Sequence, residues 1–246
     1  NGVKMSYQEI KGNLFNSRAQ AYVNTVNCVG AMGKGIALEF RRRYPAMCDQ
    51  YKKDCQEKQV VPGRILSYPQ GDKLILNFAI KDDWKQPSKI EWIESTLKQF
   101  VAWYRNKGIK SVAFPWMGAM NGGLPFGLIQ STMREHLKNL SDIEVEVYTF
   151  DPDESDELFE ALRNIISSGN SFVLRSKVRM KDEQFRDIEW MIKKGTIKSL
   201  SRLEERKILG KTSMDNLYYF LTQVAQNNNF LISNLKKEDE GQYPLF

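Results

Sequence analysis

The sequence predicts an α/β protein in which helices cover a sheet, followed by a smaller, mainly helical domain. Three observations point there. Strand-like and helix-like segments alternate from Met5 to Pro152, as they do when helices pack on a sheet. Loops carrying asparagine or glycine follow several of the strands, which places a binding crevice at the sheet's carboxyl edge. Beyond Asp151-Pro152 helical spacing of apolar residues takes over.

In chain order, Tyr7 to Ile10 reads as a short strand ending at Lys11-Gly12-Asn13, and Ala21 to Asn27 as the next. The run V-N-T-V-N-C-V-G-A-M-G-K-G-I-A-L-E-F, from Val23 to Phe40, passes from that β-branched strand through a loop into a helix reaching about Tyr44. Such a turn gathers bare backbone N–H groups and a positive helix end, a natural seat for a phosphate or diphosphate. A glycine-rich strand–helix turn with no ligand is the plainer alternative; Asn24, Asn27 and Lys34 favour a ligand. Pro45 opens a second helix with Met47, Tyr51 and Cys55 four residues apart. Strands are expected at Arg64–Tyr68 and Lys73–Ile80, the second almost continuously apolar, as in a covered sheet.

Lys81 to Pro87 is a polar loop, and Ser88 with Glu91 has the spacing of a capping box. Ile90, Ile93, Leu97, Val101 and Tyr104 mark a long helix stopped by Gly108. Ser111–Pro115 is a further strand, Trp116–Leu124 a second glycine loop, and Pro125 suits the start of a helix to about Leu140. Ile143–Phe150 closes the first domain, residues 1–152. Residues 153–157 read as an acidic linker to a helical domain over 158–235. Within that domain Leu158–Ser168, Asp182–Leu200, Leu203–Leu209 and Met214–Gln226 read as helices and Phe172–Val178 as a short strand.

The 246 residues carry a net charge of +6. Residues 1–152 hold 21 Lys+Arg against 15 Asp+Glu, so the whole surplus lies with the phosphate-type loop, which suits an anionic ligand or nucleic acid. Three cysteines and one histidine, without metal-ligand spacing, argue against zinc and against a disulfide framework; no cofactor is expected, and a reducing, cytoplasmic setting is. No apolar run reaches membrane-spanning length. Arg41-Arg42-Arg43 reads as a solvated helix face near the crevice, His136 as a surface or partly buried residue, and Trp84 and Trp116 as packing residues that could also stack on a displaced base.

The N-x-x-N-x-x-G-x-M-G-K-G-I-A loop, Lys81 after an N-F strand, and the later N-G-G-L loop together resemble a macrodomain over roughly residues 5–152. The resemblance is to the branch of DarG-type antitoxins and terminal ADP-ribose glycohydrolases. It implies a three-layer α/β/α fold with a mixed, mostly parallel sheet. It also implies ADP-ribose as ligand and hydrolysis of ADP-ribose from thymidine bases in DNA or from acidic protein side chains. Asn27 would then hydrogen-bond the distal ribose, with Gly33, Lys34 and Gly35 against that ribose and a phosphate. Gly118, Ala119, Met120, Asn121 and Gly122 would form the second phosphate loop, and Phe150 would face the adenine. Asn13, Leu14, Asn24, Ile36 and Pro115 complete the implied ligand contacts.

Lys81 matches the branch's catalytic lysine. An amine near apolar surface has a lowered pKa and can attack the anomeric carbon or opened aldehyde of ribose. The alternatives are a cation that stabilises the leaving group, or a solvated loop lysine beside Asp82 and Asp83. Three departures matter: Asn13 stands where an aspartate is frequent, Pro125 follows Leu124 where protein-directed glycohydrolases carry aspartate, and Met120 replaces a usual glycine. The second favours modified DNA, single-stranded by expectation, as substrate; the third narrows the ribose pocket. A non-catalytic ADP-ribose reader, or a hydrolase of protein-linked ADP-ribose or of small ADP-ribose derivatives, are the other readings. A toxin partner is a further expectation. The charged tail 236–246 ends in Gln242-Tyr243-Pro244-Leu245-Phe246, which resembles the Q-x-x-L-F peptide that docks on bacterial sliding clamps.

Overall fold

The computed structural model describes residues 7–169 and 171–226. The chain divides after Phe150 into two compact units.

The first unit is built on a sheet of six strands among the described residues: β1 (Tyr7–Gly12), β2 (Ala21–Val26), β3 (Ile65–Gln70), β4 (Lys73–Ala79), β5 (Ser111–Pro115) and β6 (Glu144–Phe150). Their order is β1-β6-β5-β2-β4-β3, parallel throughout except for the β3–β4 pair. Period-2 alternation divides the strand side chains between two cores. Ala21 and Val23 of β2 and Leu76 and Phe78 of β4 join one face, while Tyr22, Val26, Ile75 and Ala79 join the other. The first face is covered by α3 (Ile90–Trp103) and α4 (Phe126–Leu137), and the second by α1 (Gly35–Arg43) and α2 (Pro45–Gln56). That gives three layers, α/β/α, as expected.

Five strands are parallel, so their carboxyl ends meet at one edge. The segments leaving β1, β2, β4 and β5 and the end of β6 therefore share that edge. Gly12 and Phe150 are register partners there.

Two local expectations fail. Ser88 does not cap α3: the N-cap is Lys89, the Ser88 hydroxyl is buried without a partner, and its N–H donates to the Gly122 carbonyl at 2.8 Å. The second glycine loop has claimed the backbone geometry that a capping box needs. Arg42 and Arg43 are not solvated, each being only 6% exposed. Arg43 donates to Glu39 Oε1 through both Nε and a terminal nitrogen, and its guanidinium lies 4.2 Å from the Phe15 ring centre. A buried cation needs such a partner. His136 sits with Nδ1 2.9 Å from the Thr132 carbonyl, a local helix contact.

The second unit is helical: α5 (Glu157–Ser167), α6 (Ser171–Val178), α7 (Asp182–Lys193), α8 (Leu200–Glu205) and α9 (Lys211–Gln226) enclose their own apolar core. The expected strand over Phe172–Val178 is helix α6, because Val173, Leu174 and Val178 share one helical face against α9. The helix expected to run from Asp182 to Leu200 stops at Lys193, before Gly195 at φ +67°. The next begins at Leu200 rather than Leu203, since Ser199 accepts from Arg202 N and caps it there. Nor is 153–157 a free linker. Asp153 pairs with Arg202 through two bonds, and Asp156 caps α5 by accepting from Phe159 N at 2.9 Å. Gln242–Phe246 lies outside the described residues.

Candidate active site

The loop after β2 is organised by Asn27. Its Oδ1 accepts from Val29 N and Ala31 N, and its Nδ2 donates to the Ala31 carbonyl at 2.6 Å. Tyr51 of α2 donates to the Asn27 carbonyl at 2.6 Å. Asn27 is therefore a 6%-exposed clamp of its own loop, its Oδ1 committed to two backbone N–H groups. One of its two amide hydrogens lies outside these bonds.

Asn24 lies deeper. It is fully buried, donating at 2.9 Å to Asn77 Oδ1 directly across the β2–β4 register, so its amide nitrogen ties strands together while its Oδ1 is buried without a partner. Leu14 is likewise enclosed in the core. Asn13 uses Oδ1 to accept from Phe15 N, capping a short 3-10 turn, Leu14–Asn16.

The remaining residues of the loop differ. Gly33, Lys34 and Gly35 are exposed, and Ile36 is half-buried. Helix α1 begins at Gly35 with no side chain capping it, which leaves its first N–H groups available. A β-carbon at Gly33 would meet nothing within 4 Å, so packing does not require this glycine. At Gly35, φ is +56° and a β-carbon would fall 2.5 Å from Asn121 Nδ2. The two glycine loops thus meet at Gly35 and Asn121.

The second loop follows Pro115, the half-buried last residue of β5. Gly118 sits at φ +82°, and a β-carbon at Gly122 would collide with the Gly118 backbone. This close approach folds 118–122 tightly with Ala119 half-buried, Asn121 exposed and Met120 77% exposed. Met120 therefore projects into solvent from the tip of this loop. Trp116 is buried, donating to Thr149 Oγ1 and packing edge-on against Phe126. Phe150 is 42% exposed at the neighbouring strand end, one register step from Asn13.

Lys81 joins these pieces. It follows β4, beside the β2 loop: Cys28 N donates to the Asp82 carbonyl at 2.9 Å and Cys28 Sγ to the Lys81 carbonyl at 3.2 Å. Its Nζ donates to the Asn121 carbonyl at 2.5 Å. The ammonium of this partly buried lysine is therefore turned to the second glycine loop. Desolvation holds its pKa below the ordinary lysine value. The nearby thiols move the other way: burial, with Asp82 second, pushes Cys28 up to about 12, and burial raises Cys55. Both thiols are thereby held toward the neutral form, whereas the lysine is shifted toward its neutral amine.

Lys81, Gly33–Ile36 and Gly118–Gly122 are thus assembled as one cluster, with Asn13 and Phe150 on the adjoining β1–β6 ends. Tyr51, Cys28 and Ser88 escaped sequence reasoning. They support the loops through bonds to groups at least 24 residues away in sequence, and nothing in their local pattern announces it.

A family model for the macro domain matches residues 23–133. A protein of Thermus aquaticus named DNA ADP-ribosyl glycohydrolase is 41% identical over 143 residues, covering 56% of this chain and 40% of its own length. The structure titled macrodomain of Mycobacterium tuberculosis DarG is 38% identical with a TM-score of 0.56, covering 58% of this chain and 96% of that one. That titled Thermosipho africanus DarTG in complex with ADP-ribose is 29% identical with a TM-score of 0.57, covering 63% of this chain and 44% of that one. The chain spans 40% to 56% of the length of the DNA ADP-ribosyl glycohydrolases it matches. With its sheet order, its paired glycine loops and near-complete coverage of a solved relative, this chain belongs to the macro domain family, in its DarG-type branch.

Proposed function

We propose that this chain is an ADP-ribosyl glycohydrolase that removes ADP-ribose from thymidine bases of DNA, with Lys81 as nucleophile. The observation that carries it is the Lys81 ammonium, depressed in pKa and held at the meeting point of two glycine loops. The N-terminus of α1, with Gly33, Lys34 and Gly35, and the Gly118–Gly122 loop would hold the diphosphate through backbone N–H groups. Phe150 and Asn13 would take the adenine end, and the spare amide hydrogen of Asn27 would reach the distal ribose.

The chemistry balances with water alone. The neutral Lys81 amine attacks the anomeric carbon, a C–N bond forms, and the bond to the base breaks as the base takes up a proton. The glycosyl-amine opens to a Schiff base, and one water hydrolyses it, releasing ADP-ribose and restoring the amine. The relatives' names support DNA as the carrier. The same reading makes the protein a cytoplasmic DNA-repair enzyme and the antitoxin partner of a DNA ADP-ribosyltransferase. A fusion protein of Thermosipho africanus named for both activities is similar to this chain. No helix among the described residues is long and apolar enough to cross a membrane.

The test is turnover of a thymidine-ADP-ribosylated single-stranded oligonucleotide by wild type and Lys81→Ala. The expected result is a loss of at least about 1,000-fold in the variant, and an adduct on Lys81 that borohydride traps in wild type. Equal rates, or no turnover by wild type, overturn the proposal. Tight ADP-ribose binding without turnover would make the chain a reader instead.

A further inference from the structure

We infer that Trp84–Lys85 and Lys89–Trp92, on the segment that leaves Lys81 and enters α3, form a track for single-stranded DNA beside the nucleophile. Trp84 lies three residues beyond Lys81 and is 54% exposed, a large apolar ring left in solvent on a loop at the site's edge. It is not a packing residue, as Trp116 is. The loop around it is held in shape, since Asp83 Oδ1 accepts from Lys85 N at 2.8 Å and the Asp83 carbonyl accepts from Gln86 N at 3.1 Å. The ring is thus displayed on a fixed turn, and little ordering is needed to use it.

Each tryptophan carries its own cation. Lys85 Nζ lies 5.4 Å from the centre of the Trp84 ring, and Lys89 Nζ lies 4.7 Å from that of the half-buried Trp92. Two rings and two ammonium groups within nine residues of chain suit a strand of nucleic acid: bases stack on the open ring faces while phosphates meet cations. A protein or peptide partner would need a broader apolar patch than two separated rings. The first unit's basic surplus favours the same polyanion. The bases held here would be those flanking the modified one, so the track would set which strands deliver their ADP-ribose to Lys81.

This rests on the reading of DNA as substrate, but its test needs no turnover. A fluorescein-labelled, unmodified thymidine-rich oligonucleotide is titrated with the full chain, and anisotropy is followed at several salt concentrations. Trp84→Ala is expected to weaken binding about tenfold, the effect of removing one base–aromatic stack. Lys85→Gln with Lys89→Gln is expected to reduce the log–log salt slope by about 0.7 for each phosphate that is no longer neutralised. ADP-ribose affinity by calorimetry stays at the wild-type value in both, which also reports that the variants fold. Wild-type DNA affinity in Trp84→Ala, or no DNA binding by wild type, overturns the track while leaving Lys81 chemistry standing. Loss of turnover in Lys81→Ala with full DNA binding separates the two claims from the other side.

Discussion

At the scale of the residue, Lys81 is an amine whose protonation decides its use. Desolvation lowers its pKa, so the folded chain releases this proton at a lower pH than the unfolded chain does. Between those two values the unfolded state binds more protons, and stability rises with pH across that window. If Lys81 is the nucleophile, activity should move in the same direction, since only a neutral amine can attack. The expected kcat/KM therefore climbs with pH and levels off below the ordinary lysine range; a rate that falls as pH rises from 6 to 9 contradicts the nucleophile. Lys81→Met also removes a half-buried charge and should shift Tm by no more than about 2 °C while abolishing turnover, as differential scanning calorimetry would record. Asn24 and Asn27 teach the complementary lesson. Both have the side chain of a ligand contact, yet the Asn24 amide nitrogen is engaged by Asn77 and the Asn27 amide oxygen by its own loop.

At the scale of the element, the two glycine loops fail in different ways when a methyl group is added. Gly33 is open on its β-carbon side, so Gly33→Ala should keep the wild-type Tm and lose about tenfold or more in ADP-ribose affinity, because only the ligand approaches there. Gly122→Ala drives its β-carbon into the Gly118 backbone and should cost about 1–3 kcal/mol of stability along with ligand binding. Calorimetric titration paired with thermal denaturation distinguishes them; equal effects of the two substitutions would refute the assignment of Gly33 to the ligand. In the helical unit, Asp156 accepts from Phe159 N at the head of α5. Asp156→Ala should cost about 1 kcal/mol in urea unfolding, and less than about 0.3 would mean the cap is idle.

At the scale of the whole molecule, each unit closes its own apolar core, and every loop of the site comes from the first. Residues 1–152 expressed alone should therefore fold cooperatively and bind ADP-ribose with the affinity of the full chain. A tenfold weaker affinity would place part of the ligand site in the helical unit.

The order of strands and helices in the first unit, the two glycine loops and Lys81 were legible in the sequence. Period-2 and period-3.6 spacing, glycine and proline act within a few residues of themselves. Where local signals conflict they mislead: Phe172–Val178 reads as a strand, and only its fit against α9 makes it a helix. Which polar side chains remain for a ligand was decided by the tertiary structure alone. Asn77 lies 53 residues from Asn24, and the carbonyl that receives the Lys81 ammonium lies 40 residues further along the chain. Burial and hydrogen-bond partners are set by the packed sheet, whose neighbours in space are far apart in sequence, so no local pattern encodes them.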